Sequence, residues 1–160
     1  MTTLDKAIQL ASDGARASRP AFVVALGGTT SANSSTEKAL RIALEGAAAG
    51  GAETLLISGP ELELPIYAWE RKERNEAAAH LIASLRRADG IIIGSPGYHG
   101  SISGLVKNAL DYVEDMSDDE WPYFHGRPVG AVATDAMLRA MGQEVAEAAR
   151  TRALIQAPGR

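Results

Sequence analysis

Apolar residues come along this chain in two alternating rhythms, and the alternation predicts its architecture. Short continuous runs rich in β-branched residues, Ala21-Phe22-Val23-Val24-Ala25-Leu26, Leu55-Leu56-Ile57 and Ile91-Ile92-Ile93, read as strands covered on both faces. Between them, apolar residues recur at helical spacing. Ala39, Leu40, Ala43, Leu44 and Ala47 form one such stripe, and Ala78, Leu81, Ile82, Leu85 and Ala88 form the next. A third stripe follows in Leu105, Val106, Ala109, Leu110 and Val113, and a fourth strand is expected from Pro128 to Thr134. Strands that alternate with crossover helices predict a parallel sheet with helices on both faces, an α/β fold of four clear strands. Residues 4–17 carry Leu4, Ala7, Ile8 and Ala11 at helical spacing, so residues 1–20 are expected to form a helical arm ahead of a domain spanning 21–160.

The polar interruptions are as patterned as the apolar runs. Ser34-Ser35-Thr36-Glu37 has the spacing of a capping box, a hydroxyl followed three residues later by a carboxylate, and it predicts the start of the first helix. Gly50-Gly51 predicts its end. Gly59 to Arg74 is expected to be a loop, and Glu114 to Glu120 reads as a solvated acidic turn, without the ligand spacing of a calcium loop.

Composition narrows the function. A chain of 160 residues with 46% hydrophobic content can bury one core of its own. Its net charge of −4 argues against a nucleic-acid partner, and no apolar run reaches the roughly 18 residues of a membrane span. The first twenty residues lack the apolar core of a secretory signal, so the cytoplasm is the expected location. With no cysteine, disulfides, thiolate metal sites and a cysteine nucleophile are excluded.

Candidate chemistry concentrates in two loops, each following a strand and leading into a helix. In Gly27-Gly28-Thr29-Thr30-Ser31-Ala32-Asn33-Ser34-Ser35-Thr36, backbone amides, hydroxyls and the helix dipole can converge on one anion. The plainer account is that Ser34 caps the helix and the glycines turn the chain. The glycine spacing matches neither a dinucleotide fingerprint nor a P-loop, and the density of hydroxyls tips the balance toward a monophosphate. In the second loop, Ser95-Pro96-Gly97-Tyr98-His99-Gly100-Ser101-Ile102-Ser103-Gly104, glycines leave room for a flat ring and Tyr98 offers a wall. Taken singly, Tyr98 is an ordinary half-buried aromatic and His99 a residue that shapes its loop. Lys107 and Asn108 read as solvated or interface residues, with a Lys107–Asp111 pair at i+4 among the options.

The run Ser-Pro-x-Tyr-His-Gly-Ser-x-Ser-Gly-x-x-Lys-Asn-Ala-Leu-Asp, residues 95–111, resembles the flavin-contacting loop of the NADPH-dependent FMN reductases. The resemblance extends from about Phe22 to Thr134. It implies a flavodoxin-like three-layer fold, FMN as cofactor and NADPH as co-substrate. It implies hydride transfer to the flavin and onward to a small acceptor such as free flavin, a quinone, an azo compound or a metal oxyanion. Carried over by position, Thr29, Ser31, Asn33, Ser34, Ser35 and Thr36 are the phosphate contacts, and Pro96, Gly97, Tyr98, His99, Gly100 and Ser101 lie along the ring. No side-chain acid, nucleophile or metal ligand is expected, since the chemistry belongs to the cofactor. The family points to a homodimer or homotetramer, with Trp69, Trp121, Tyr123 and Phe124 as interface candidates. A flavodoxin-type electron carrier and a non-catalytic interaction module are the alternatives.

The chain departs from the family in two places. Where relatives usually have an arginine in the phosphate loop it has Ser31-Ala32-Asn33. After Thr134, where relatives carry a further flavin loop, a helix and a fifth strand, it has Leu138, Met141, Val145 and Ala149 at helical spacing. A fifth strand is doubtful there, with residues 153–155 the one candidate.

Overall fold

In the computed structural model, which describes residues 19–98, 101–132 and 143–151, four strands line up in parallel. They are β1 (Phe22–Gly27), β2 (Glu53–Ile57), β3 (Gly90–Gly94) and β6 (Val129–Ala131), in the order β2-β1-β3-β6. Between β3 and β6 the chain forms a small antiparallel ribbon, β4 (Gly97–Tyr98) and β5 (Ser101–Ile102), where the sequence predicted an open loop. The expected flavodoxin-like sheet is therefore present in four strands, and its first and third strands are neighbours. The proposed N-terminal arm, the segment from Thr134 to Met141 and the candidate fifth strand lie outside the described residues.

Helices cover both faces. On one side lie α1 (Ser35–Ala49) and α4 (residues 143–151), on the other α2 (Glu76–Arg87) and α3 (Gly104–Asp111). Strand alternation sorts the core accordingly. Val23, Ala25 and Ile92 pack with Leu40, Ala43, Leu44, Val145 and Ala146, while Val24, Leu26 and Ile91 pack with Leu81, Leu85, Val106 and Met116. Leu40 is fully buried, which stabilises the fold by about 1.5–3 kcal/mol relative to leaving it in water. Val145 and Ala149 are buried as their spacing predicted.

The helix starts follow from local chemistry. Ser34, Asn75 and Ser103 cap α1, α2 and α3, each accepting the backbone N–H three residues on. At α1 the box predicted from Ser34 and Glu37 forms with a shift of one residue. Ser34 Oγ accepts from Glu37 N at 3.2 Å, while the Glu37 carboxylate accepts from Asn33 N at 2.9 Å rather than from Ser34 itself. Asn33 has φ +61°, a left-handed conformation that asparagine tolerates better than most residues. The C-terminal end of α3 tightens into a 3₁₀ turn, Tyr112–Met116, so the third apolar stripe runs on to Met116.

Two sequence readings change here. The acidic stretch after α3 is more than a solvated turn, because Asp115 pairs with Arg74 and Asp119 with Arg86. Asn108 is neither a cap nor simply solvated. Its Oδ1 accepts from Tyr67 N at 2.9 Å, and its Nδ2 donates to Leu64 O at 3.2 Å and Pro65 O at 3.0 Å. Tyr112 Oη donates to the same Pro65 carbonyl at 2.9 Å. The strap Leu64–Tyr67 is thus tied across the first turns of α3. Asn108→Ala should cost about 1–3 kcal/mol, the usual range for leaving such groups unsatisfied. Urea titration measures that cost, and hydrogen exchange at the Tyr67 amide should lose its protection.

Candidate functional site

The site is built at the carboxyl ends of β1 and β3, where open α/β sheets leave a crevice and where flavodoxin-like sheets have their switch point. The two strands run in register to their last pair, Gly27 with Gly94. Beyond it, Gly28 N donates to Gly94 O at 3.1 Å. The junction leaves no room for side chains. A Cβ on Gly27, whose φ is +142°, would lie 1.8 Å from the Gly94 carbonyl oxygen, and one on Gly94 would lie 2.9 Å from Leu40. The glycines therefore hold the loops that follow them side by side.

The first loop, residues 28–34, turns tightly on its own polar atoms. Thr29 Oγ1 accepts from Ser31 N at 3.2 Å and donates to Ser31 O at 3.3 Å. Ser31, Asn33 and Ser35 are exposed, and Thr29, Ser34 and Thr36 are half-buried. The amides of Ser35 and Thr36 open α1, and neither has an acceptor among the described residues. That is the donor arrangement a helix start offers an anion.

Beneath it sits Glu37, 5% exposed. Its Oε1 accepts from Arg41 Nη2 at 2.7 Å and Nε at 3.1 Å. Those bonds above all hold its pKa below the ordinary carboxylate value, against the opposing pull of burial, with the Asn33 N–H and Ser58 adding to the lowering. Glu37 entered the sequence reading only as a cap, and its partner Ser58 carried no signal. The i,i+4 spacing of Glu37 and Arg41 is the pattern from which that pair is legible.

The second loop is a hairpin. Gly97 pairs with Ile102 and Tyr98 with Ser101. Ser95 Oγ closes its base, accepting from Ser103 N at 2.9 Å, and Ser103 in turn caps α3 by accepting from Val106 N at 3.3 Å. Ser95 is a site-shaping residue absent from the sequence-derived set; a serine before proline at a strand end was its only signal. Tyr98 is 55% exposed and Ile102 44% exposed, so the ribbon presents bare apolar surface beside the first loop. Around Gly97 there is open space among the described residues, with none of their atoms beyond its own chain neighbours within 4 Å of where a Cβ would stand. Pro96 is half-buried and Ser101 exposed. His99 and Gly100 lie outside the described residues.

The structure thus brings the tips carrying Thr29 to Thr36 and Pro96 to Ser101 onto adjacent strands. The four interface candidates separate. Trp69 and Tyr123 are exposed, Trp121 stacks on His125 at 5.6 Å, and Phe124 packs against the core. A groove of about 580 Å³ lies apart from the cradle, along α2, lined by Trp69, Arg74, Arg86 and Asp115 among others. It contains none of the cradle residues.

Comparison with known proteins agrees with this fold. In the solved structure of an oxidoreductase from Corynebacterium diphtheriae the same fold recurs with a TM-score of 0.55 and 16% identity, over 86% of this chain and 99% of that one. An NADH:FMN oxidoreductase in its apo form gives 0.52 and 20%, over 87% of this chain and 91% of that one. At these identities the likeness is one of fold. In sequence, an NADPH azoreductase of Bacillus sp. (strain OY1-2) is 42% identical over 72 residues, 44% of this chain and 37% of that protein. An FMN-dependent NADPH-azoreductase of Staphylococcus saprophyticus is 49% identical over 47 residues, 29% of this chain and 22% of that protein. The chain thus aligns with well under half the length of these relatives. The profile of the NADPH-dependent FMN reductases matches residues 22–156, which carries the likeness past Thr134, where the sequence by eye departs from the pattern. On that match, which takes in both loops and all four strands of the sheet, the chain belongs to the NADPH-dependent FMN reductase family.

Proposed function

We propose that the chain is an NAD(P)H-dependent flavin oxidoreductase that holds FMN between the tips of β1 and β3. The observation that carries this reading is the locked adjacency of the two loops through Gly27, Gly28 and Gly94, within a chain of this family. The residues present fit the cofactor. Unclaimed amides at Ser35 and Thr36, with the hydroxyls of Ser31, Ser34, Ser35 and Thr36, suit a phosphate, and Thr29 and Asn33 shape that loop. The open space at Gly97, the Tyr98 ring, and the loop from Pro96 through His99 and Gly100 to Ser101 suit a flat ring with one polar edge. When bound, FMN accepts a hydride from reduced nicotinamide and passes the electrons to an acceptor. The protein's part is to orient the ring, to leave one face open and to limit water at the other. No side chain in either loop needs to move a proton for that.

The acceptor is a small molecule, and the names of the azoreductase relatives favour an azo compound with NADPH as donor. The exposed side chains of Ile66, Trp69, Tyr98 and Ile102 support a homodimer or homotetramer. Among the described residues no helix is long and apolar enough to cross a membrane.

The test is retention of yellow colour after FMN is added and the protein desalted, followed by NADPH oxidation with a quinone or azo acceptor. Gly97→Ala is the discriminating variant. Its Cβ meets nothing among the described residues, so stability should stay within about 0.5 kcal/mol. FMN retention should nevertheless fall, by tenfold or more, because the methyl occupies space the ring needs. Unchanged flavin affinity in Gly97→Ala and in Tyr98→Ala would remove the ring from this loop. Retained colour without NADPH turnover would make the chain an electron carrier.

A further inference from the structure

The phosphate end of the cradle is unusual in its charge. From Gly27 to Thr36 there is no lysine, arginine or histidine, so every donor the loop offers is a neutral amide or hydroxyl. The first full charge behind it is negative. Glu37 lies in the first turn of α1, buried, and its carboxylate is one hydrogen bond from the loop's own backbone at Asn33. Arg41, four residues on, turns two of its nitrogens onto one Glu37 oxygen, which leaves that pair close to neutral and offers a ligand no free cation. Lys38 follows, but its side chain is exposed, without an ion-pair partner among the described residues, and a charge held only in water is strongly screened.

Besides the Gly28 amide, bonded to Gly94, two more of the loop's own amides are spent. The Asn33 amide goes to Glu37 and the Ser31 amide to Thr29 Oγ1. What is left suits a neutral hydroxyl nearly as well as a phosphate. A ribityl hydroxyl donates and accepts, and so do the rim side chains of Ser31, Ser35 and Thr36. A phosphate dianion gains from the helix dipole, but the loop itself gives it no countercharge, since the Arg41 cation is spent on Glu37.

We infer that this cradle discriminates little between phosphorylated and unphosphorylated flavin, taking riboflavin about as readily as FMN, with Glu37 as the residue that sets this preference. The inference rests on the flavin reading of the site and names its ligand class more narrowly.

Titration of flavin fluorescence on the full chain tests it. FMN should bind less than tenfold more tightly than riboflavin; a preference of tenfold or more overturns the inference. Ser31→Arg, at an exposed position, should tighten FMN about tenfold and leave riboflavin unmoved. Glu37→Gln keeps an oxygen for the Asn33 amide while removing the charge, and should tighten FMN at least threefold with riboflavin again unmoved, a thermal melt confirming that the variant is folded. If either variant shifts both flavins alike, or leaves FMN where it was, the charge argument is wrong. Lys38→Ala should change FMN binding less than threefold, and a larger loss would restore a cation to the cradle. If neither flavin binds at millimolar concentration, it is the flavin reading itself that fails, an outcome distinct from a strong preference for FMN.

Discussion

Gly27→Ala is expected to abolish folding at ordinary temperature. The added Cβ would stand 1.8 Å from the carbonyl oxygen of Gly94 and 2.7 Å from its carbon, and a φ of +142° is one that L side chains rarely adopt. Neither partner can retreat cheaply, because Gly27 and Gly94 are the terminal pair of two central strands and Gly28 is bonded to the same carbonyl. A cost above about 4 kcal/mol follows, comparable to the whole stability of a marginal domain. Gly94→Ala meets only the Leu40 side chain, at 2.9 Å, and should cost about 1–3 kcal/mol as an overpacked contact. Gly97→Ala meets nothing among the described residues and anchors the scale near zero. Urea midpoints followed by circular dichroism would give the order directly. A Gly27→Ala protein as stable as its parent would mean that the two loops are not locked together as described, and the cradle would lose its basis.

What could be read from the sequence was whatever is encoded locally. The two central strands, β1 and β3, were visible because apolar runs buried on both faces need no partner to be recognised, whereas β2 and β6 at the sheet edges are only partly covered. Ser34 and Glu37 revealed the start of α1 because a capping box spans only three residues. The juxtaposition of the two loops was implied by the family resemblance, since in the flavodoxin-like strand order the first and third strands are neighbours. The ribbon at Gly97–Ile102 was missed because strands of two residues are too short to show an alternation. Asn108 and Asp115 were misread for a different reason. Their partners, Tyr67 and Arg74, lie 41 residues away in each case, and nothing in the local pattern of a helix surface reveals which polar residue will be covered by a distant loop. The same blindness applies to Glu37, whose burial beneath the first loop depends on where β2 ends and Ser58 sits.

Asp115→Ala should be the most damaging substitution outside the glycine junction. The Asp115 carboxylate takes Arg74 through two bonds, Nε to Oδ2 at 2.6 Å and Nη2 to Oδ1 at 2.8 Å, and also accepts from Tyr67 Oη at 3.2 Å. Arg74 is 12% exposed at its side chain, with its guanidinium 5.1 Å from the Tyr67 ring centroid and 5.4 Å from that of Tyr112. Removing the acid strands a cation among aromatic rings, which costs about 3–5 kcal/mol when fully buried and about 2–4 kcal/mol here, where Asp115 retains some water. Asp115→Asn keeps the shape and should cost less. The pair also fixes a sign for pH. Hydrogen bonding from Arg74, more than any other cause, holds the Asp115 pKa below its ordinary value against the effect of burial. Its stabilisation is therefore fully present above the unfolded value of about 3.9 and fades as pH falls through the lower folded one. The gap in urea midpoint between the parent and Asp115→Asn should accordingly be wide at pH 7 and narrow at pH 3. Glu37, lowered in the same way, gives both proteins a common acid sensitivity that this difference removes. A gap that stays constant with pH, or an Asp115→Ala protein within about 0.5 kcal/mol of its parent, would show that the strap is held by packing and by Asn108 rather than by charge.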